Sequence, residues 1–240
     1  MPRLSLTDNC LYAITDSEKL RGELLVRAVD EVLAGGCHLV QYRDKTSDHS
    51  RRLSEAQQLQ KLCCARGAKL IINDDIELAR HCGAAGVHLG QGDSPIDQAR
   101  ARLGDQALVG ITCHASLELA QQALAAGADY IAFGRFFPSR TKPLAPAADL
   151  ALLGRARELW PETCIVAIGG VDQGNACQLL ERGADYLAIC GDLFQSSSPS
   201  QYASTFNHLT ASHGSHTSPG KKGRATNHAR SVNESVRSSV

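Results

Sequence analysis

Eight short apolar, partly β-branched runs recur along the chain, and eight alanine- and leucine-rich segments with helical spacing separate them. The runs fall at 11–15, 38–42, 69–72, 86–89, 108–111, 130–133, 164–168 and 186–190. The helical segments fall at 20–33, 50–65, 76–81, 96–103, 116–126, 147–159, 175–181 and 200–209. Regular alternation of strand and helix predicts an α/β fold with a parallel sheet. Eight units favour a closed (β/α)8 TIM barrel over an open doubly wound sheet, because closure leaves no strand edge unpaired. Several helical segments end in a glycine that opens the next strand, as expected for a left-handed cap before a short turn. Two of these junctions, Gly127-Ala128-Asp129-Tyr130 and Gly183-Ala184-Asp185-Tyr186, form a weak internal repeat.

A hydrophobic content of 43% over 240 residues is ample for one sizeable core, so a single domain is the simpler organisation. The barrel is expected over 1–211. Residues 212–240 are rich in Ser, Gly, Lys, Arg, His and Asn, and burial cannot offset their ordering entropy, so this tail is expected to be disordered. The tail holds five of the 25 Lys and Arg residues and one of the 25 acids, leaving 20 cations against 24 acids in the body. A mildly acidic body argues against nucleic acid as a partner, and the basic residues at 41–45 and 140–142 suit a small anion instead. The nine cysteines form no CxxC pattern and read as reduced and mostly structural. No run approaches the roughly 18 apolar residues of a membrane span, and Met1 to Cys10 lacks a signal-peptide core. The expectation is a cytoplasmic protein with no membrane partner, its oligomeric state left open with a homo-oligomer among the options.

Small polar clusters follow the apolar runs, which places them at the carboxyl ends of the strands, where parallel α/β proteins build active sites. In Gln41-Tyr42-Arg43-Asp44-Lys45, strand alternation sends Gln41 and Arg43 to one side and Tyr42 to the other. Arg43 can hold two phosphate oxygens, Lys45 supplies a compact charge and Gln41 a neutral donor. The alternative is a solvated loop with Asp44 paired to a neighbouring cation. Asp74, after Asn73, and Asp93, after Gln91-Gly92, are hard oxygen ligands suited to Mg²⁺, which takes one or two protein carboxylates plus phosphate oxygens. Each also reads as a helix N-cap, since each precedes a helical segment. His88, flanked by Val87 and Leu89, reads as a hydrogen-bonded barrel histidine and Cys113 as inert. The long stretch after the sixth run, ending in Ser139-Arg140-Thr141-Lys142, is a candidate lid. Gly169-Gly170 and Cys190-Gly191 close the seventh and eighth runs, where many barrels bind phosphate through backbone N–H groups.

In this order, QYRDK, IND, HLGQGD, GITCH, FGRFFPSRTK, AIGG and GADYLAICG resemble thiamine-phosphate synthase, from about Tyr12 to Phe206. The resemblance implies a (β/α)8 transferase that joins 4-amino-2-methyl-5-hydroxymethylpyrimidine diphosphate to thiazole phosphate and releases diphosphate. It assigns Gln41, Arg43, Lys45, Asn73 and Lys142 to the pyrimidine diphosphate and Asp74 and Asp93 to Mg²⁺, with Tyr42 and Asp44 carried along in the same substrate-binding stretch. Ser139, Arg140 and Thr141 would line the thiazole phosphate, whose phosphate falls to Gly170 and the backbone at Cys190-Gly191. Arg43, Lys45 and Lys142 would be catalytic, stabilising the departing diphosphate. Thr112 stands where the family usually has serine and keeps the hydroxyl, whereas Gly191 replaces a common serine and leaves only a backbone N–H. Two rival readings are the related thiazole tautomerase and a non-catalytic phosphate-binding barrel.

Overall fold

A computed structural model describes residues 9–138 and 147–214. The strands are β1 (Leu11–Ile14), β2 (Leu39–Tyr42), β3 (Lys69–Asn73), β4 (Gly86–Leu89), β5 (Leu108–Thr112), β6 (Tyr130–Gly134), β7 (Cys164–Ile168) and β8 (Tyr186–Ile189). Each pairs in parallel with the next, and β8 closes on β1, giving the expected TIM barrel. The helices are α1 (Gly22–Ala34), α2 (His49–Ala65), α3 (Ile76–Cys82), α4 (Ile96–Leu103), α5 (Leu117–Ala125), α6 (Ala151–Leu159), α7 (Ala176–Glu181), α8 (Gly191–Gln195) and α9 (Pro199–Gly214).

Strand alternation divides the core in two. Inside the barrel pack Tyr12, Ile14, Leu39, Ile71, Leu108, Tyr130, Val166 and Tyr186. The opposite strand faces meet the helices, as with Val40, Leu70 and Leu187. α1 shows why these segments are helical and where they dock: Leu25, Val29, Val32 and Leu33 recur at helical spacing and are all buried. Each such side chain stabilises the fold by about 1.5–3 kcal/mol.

Three elements differ from the sequence expectation by more than two residues. α6 begins at Ala151 rather than 147, because Ala148 donates its N–H to the Arg135 carbonyl at 2.7 Å and Asp149 Oδ1 accepts the Ala151 N–H at 2.8 Å. α8 was not foreseen, since five residues are too few to show a helical period. α9 continues to Gly214, past the expected boundary at 211.

The internal repeat proves to be a repeated clamp beneath the barrel. Asp129 Oδ2 accepts the Val109 N–H at 2.8 Å and pairs with Arg100 of α4 at 2.6 Å. Asp185 Oδ2 accepts the Ile165 N–H at 2.7 Å and pairs with Arg157 of α6 at 2.5 Å. In both, the arginine also donates to the carbonyl of the left-handed glycine, Gly127 (φ 95°) or Gly183 (φ 104°). Tyr130 and Tyr186, next in sequence, enter the barrel interior.

Candidate active site

The alternation that builds the barrel continues past the end of β2 and decides which of residues 41–45 reach the mouth. Gln41 points inward, is 2% exposed, and donates from Nε2 to the Tyr12 hydroxyl at 2.8 Å. Arg43 continues on the same face, its N–H fixed by Thr15 Oγ1 at 3.0 Å. Tyr42 and Asp44, expected against the substrate, take the opposite face. Tyr42 donates its hydroxyl to Glu55 Oε2 at 2.6 Å, and Asp44 pairs with Arg51 at 2.8 Å and accepts the Thr46 N–H at 2.8 Å. Arg51 bridges to Glu55 at 3.1 Å, so these residues lock the loop onto α2. Burial pushes the Asp44 carboxyl upward, but Thr46 and Arg51 outweigh it and hold the group below the usual range. The pairing of Asp44 with a nearby cation, weighed as the alternative, is the arrangement present.

Asn73 ends β3 facing inward, 9% exposed, with its amide Nδ2 lacking a hydrogen-bond partner among the described residues. Such a buried donor carries a desolvation cost that a ligand can relieve. Asp74 follows in the left-handed region at φ 63°, a conformation its short polar side chain tolerates, and its N–H donates to the His88 carbonyl at 2.9 Å. The turn brings its carboxylate to Lys45 Nζ at 2.9 Å. Asp93 joins the pair from the β4 loop, where its Oδ2 accepts the Gly90 N–H at 2.7 Å. Burial, then the hydrogen bond and like charge of Asp74, raise the Asp93 carboxyl above its ordinary value, and Lys45 opposes this.

Neither aspartate is a helix cap. Asp75 caps α3, accepting the Leu78 N–H at 2.9 Å, and Pro95 stands at the N-cap of α4. Both carboxylates are thereby left for other work. Among the described residues no group of three His, Cys, Asp or Glu side chains gathers to hold a metal. Two carboxylates already in contact, with one cation attached, are nevertheless a donor set that fits Mg²⁺.

Thr112 ends β5, and its Oγ1 lies 2.8 Å from His88 Nε2, while Gln91 Nε2 donates to its carbonyl at 2.6 Å. His88 is thus a hydrogen-bonded barrel histidine, as its apolar neighbours suggested. Burial pushes the Cys113 thiol up to about 12, well away from a reactive thiolate.

At the end of β7, Gly169 and Gly170 have φ 99° and 64°, and the β6 loop passes directly over them. A Cβ on Gly170 would stand 2.4 Å from the Pro138 carbonyl oxygen, so both conformation and space exclude a side chain. Gly191 opens α8 at the end of the neighbouring β8, and a Cβ there would meet only Gln195 Nε2, at 3.0 Å. Ser139, Arg140, Thr141 and Lys142 lie outside the described residues. Tyr12, Tyr130 and Thr15 support Gln41, His88 and Arg43; lying within apolar runs rather than in the polar clusters that follow them, they carry no sequence signal of this role.

Among the described residues no helix is long and apolar enough to cross a membrane. A solved structure of thiamine phosphate pyrophosphorylase from Pyrococcus furiosus is similar, with 28% identity, 86% of this chain and 98% of that one covered, and a TM-score of 0.77. Orotidine 5'-phosphate decarboxylase from Pyrococcus horikoshii shares the fold, at 14% identity, coverage of 82% and 98%, and a TM-score of 0.59. The family model described as thiamine monophosphate synthase, TMP-TENI, matches residues 11–193, and the chain belongs to that family.

Proposed function

We propose that the protein is a thiamine-phosphate synthase, a transferase that joins 4-amino-2-methyl-5-hydroxymethylpyrimidine diphosphate to thiazole phosphate. The observation that carries this reading is the Lys45–Asp74–Asp93 cluster beside the unpartnered Asn73 amide, at the carboxyl ends of β2, β3 and β4. An isomerase acting on a single monophosphate has no evident need for this set.

In the reaction, the bond between the pyrimidine methylene carbon and the diphosphate oxygen breaks, and both electrons leave with diphosphate. The electron-rich pyrimidine ring bears the resulting cation, and the thiazole nitrogen lone pair closes the new C–N bond. No general base or covalent nucleophile is needed for that step, so catalysis rests on positioning and on charge stabilisation at the leaving group. Gln41 and Thr112 hold the pyrimidine end. Arg43, Lys45 and Lys142 balance charge on the departing diphosphate, and Asn73 donates its free amide there. Asp74 and Asp93 would hold Mg²⁺, whose role when bound is to neutralise diphosphate oxygens. Ser139, Arg140 and Thr141 line the thiazole phosphate, with backbone groups at Gly170, Cys190 and Gly191 receiving its phosphate.

Among the described residues the nine cysteines form no disulfide, in keeping with the reducing, cytoplasmic setting this reading implies. The barrel suffices for activity in this reading, so truncation after Gly214, the end of α9, leaves turnover unchanged.

The experiment is diphosphate release with pyrimidine diphosphate, thiazole phosphate and Mg²⁺, omitting each in turn. Release that needs all three, with stoichiometric thiamine phosphate, supports the synthase. A folded protein that releases none but isomerises the thiazole is a tautomerase, and one that only binds the ligands is the non-catalytic barrel.

A further inference from the structure

A continuous line of hydrogen bonds crosses the barrel interior and ends on two residues of the proposed pyrimidine site. Gln41 Nε2 donates to the Tyr12 hydroxyl at 2.8 Å, and the Tyr12 and Tyr130 hydroxyls are 3.0 Å apart. Tyr130 OH lies 3.1 Å from His88 Nδ1, and His88 Nε2 lies 2.8 Å from Thr112 Oγ1. The packing around it is close. The His88 and Tyr130 rings stack with centroids 5.6 Å apart, Tyr12 meets Tyr130 edge-on at 6.2 Å, and both tyrosines are at most 1% exposed. Gly110 makes room for this stack, since a Cβ there would fall 1.9 Å from the Tyr130 ring.

We propose that Tyr12, Tyr130 and His88 are positioning residues that give this line a single direction and so make Thr112 a hydrogen-bond donor to the substrate. The proposal rests on the reading of Gln41 and Thr112 as pyrimidine contacts. The direction follows from counting protons. An amide nitrogen can only donate, so Tyr12 accepts from Gln41 and must place its own buried proton on Tyr130. Among the described residues, the acceptor left for the Tyr130 proton is His88 Nδ1. His88 therefore carries its ring proton on Nε2 and donates it to Thr112 Oγ1, which leaves the Thr112 O–H to point at the ligand. Gln41 correspondingly keeps its carbonyl oxygen and second N–H for the same ligand. Reversing the Gln41 amide would reverse every bond in the line and turn Thr112 into an acceptor, so the two ends are coupled although they sit on β2 and β5. An aminopyrimidine, which offers a ring nitrogen acceptor beside an amino donor, is the kind of edge such a pair reads.

The test has a spectroscopic and a kinetic arm, both on the full chain. Nitrogen-15 NMR of the histidine rings, with His88 assigned through a His88→Gln variant, should find His88 protonated on Nε2 alone. Tyr12→Phe, which removes one hydroxyl remote from Thr112, should admit both ring tautomers. A wild-type ring protonated on Nδ1, or one that does not respond to Tyr12→Phe, overturns the proposal. Tyr130→Phe keeps the stacked ring and should raise KM for the pyrimidine diphosphate roughly three- to tenfold, the range of one hydrogen bond. Combined with Thr112→Val, it should cost less than the product of the two single effects, because both cut the same line. Effects that multiply would mean the residues act separately. Should the wild type release no diphosphate at all, the synthase reading fails, while the ring tautomer still decides whether the line is directional.

Discussion

Aspartates sit at both ends of this barrel and behave in opposite ways. Beneath it, Asp129 and Asp185 each hold an arginine and a strand N–H, and each arginine also takes a glycine carbonyl. At the mouth, Asp74 and Asp93 lie against one another; among the described residues one lysine, with a 59% exposed side chain, serves Asp74, and the neighbouring Asn73 amide has no hydrogen-bond partner. Charges with full sets of partners hold strands and helices in place. Charges set against each other beside an unused donor raise the local free energy and suit a ligand that brings its own compensating groups. On the proposed function, the same residue type serves stability at the amino ends of the strands and chemistry at their carboxyl ends.

The largest expected effect that would break this contrast comes from Asp74→Asn, which keeps a side chain tolerant of the left-handed backbone and removes the charge. Turnover should fall about 10²–10³-fold, as for loss of one preorganised electrostatic contact, with an unchanged thermal midpoint. A variant with wild-type kcat would remove Asp74 from the chemistry. Next, Arg100→Ala at the lower end leaves Asp129, only 5% exposed at its side chain, without its cation. The loss in unfolding free energy should be about 2–3 kcal/mol, somewhat below that of a fully buried pair, and kcat/KM of the folded fraction should stay at wild type. Urea denaturation read beside steady-state kinetics separates the two.

Asn73→Ala sharpens the comparison further. It deletes a buried donor that has no partner, so stability should hold or rise by up to about 1 kcal/mol, whereas KM for the pyrimidine diphosphate should climb about tenfold. A stability loss instead would mean that the amide is structural. The smallest effect concerns pH. Burial and the neighbouring Asp74 raise the Asp93 carboxyl above its ordinary value, so Asp93 gains a proton earlier as pH falls than an ordinary carboxylate would, and the Mg²⁺ affinity of the proposed site should weaken with it. Replacing Asp74 by Asn removes the like charge, and carbon-13 NMR should then find Asp93 titrating at lower pH; an unmoved Asp93 would mean that burial alone holds it up.

Much of this contrast was visible in the chain. The eight apolar runs and their helical partners were legible because strand and helix periodicities are local properties, and short glycine turns leave few connections to choose among. α8 escaped notice because a five-residue helix has no period, and the start of α6 because the bonds from Ala148 to Arg135 and within Asp149–Ala151 depend on where β6 ends. The site divided along similar lines. Alternation separates Tyr42 from Gln41 and Arg43, whereas the resemblance places Tyr42 and Asp44 with the substrate; in the barrel Glu55 and Arg51 of α2 hold them. The repeat of Gly-Ala-Asp-Tyr was legible as a pattern, but its arginine partners stand 29 and 28 residues upstream and could be identified only through contact.

The sequence alone determined the order of elements, the closed barrel and the identity of the polar groups at each strand end, because these follow from patterns a few residues long. Only the tertiary structure decided which of those groups are spent on one another. Asp75 rather than Asp74 caps α3, Asp44 is consumed by Arg51, and Gln41 and Thr112 are joined through Tyr12, Tyr130 and His88. The physical reason is that a hydrogen bond between strands depends on register and on the proton each partner has left to give, and both are set when the barrel closes.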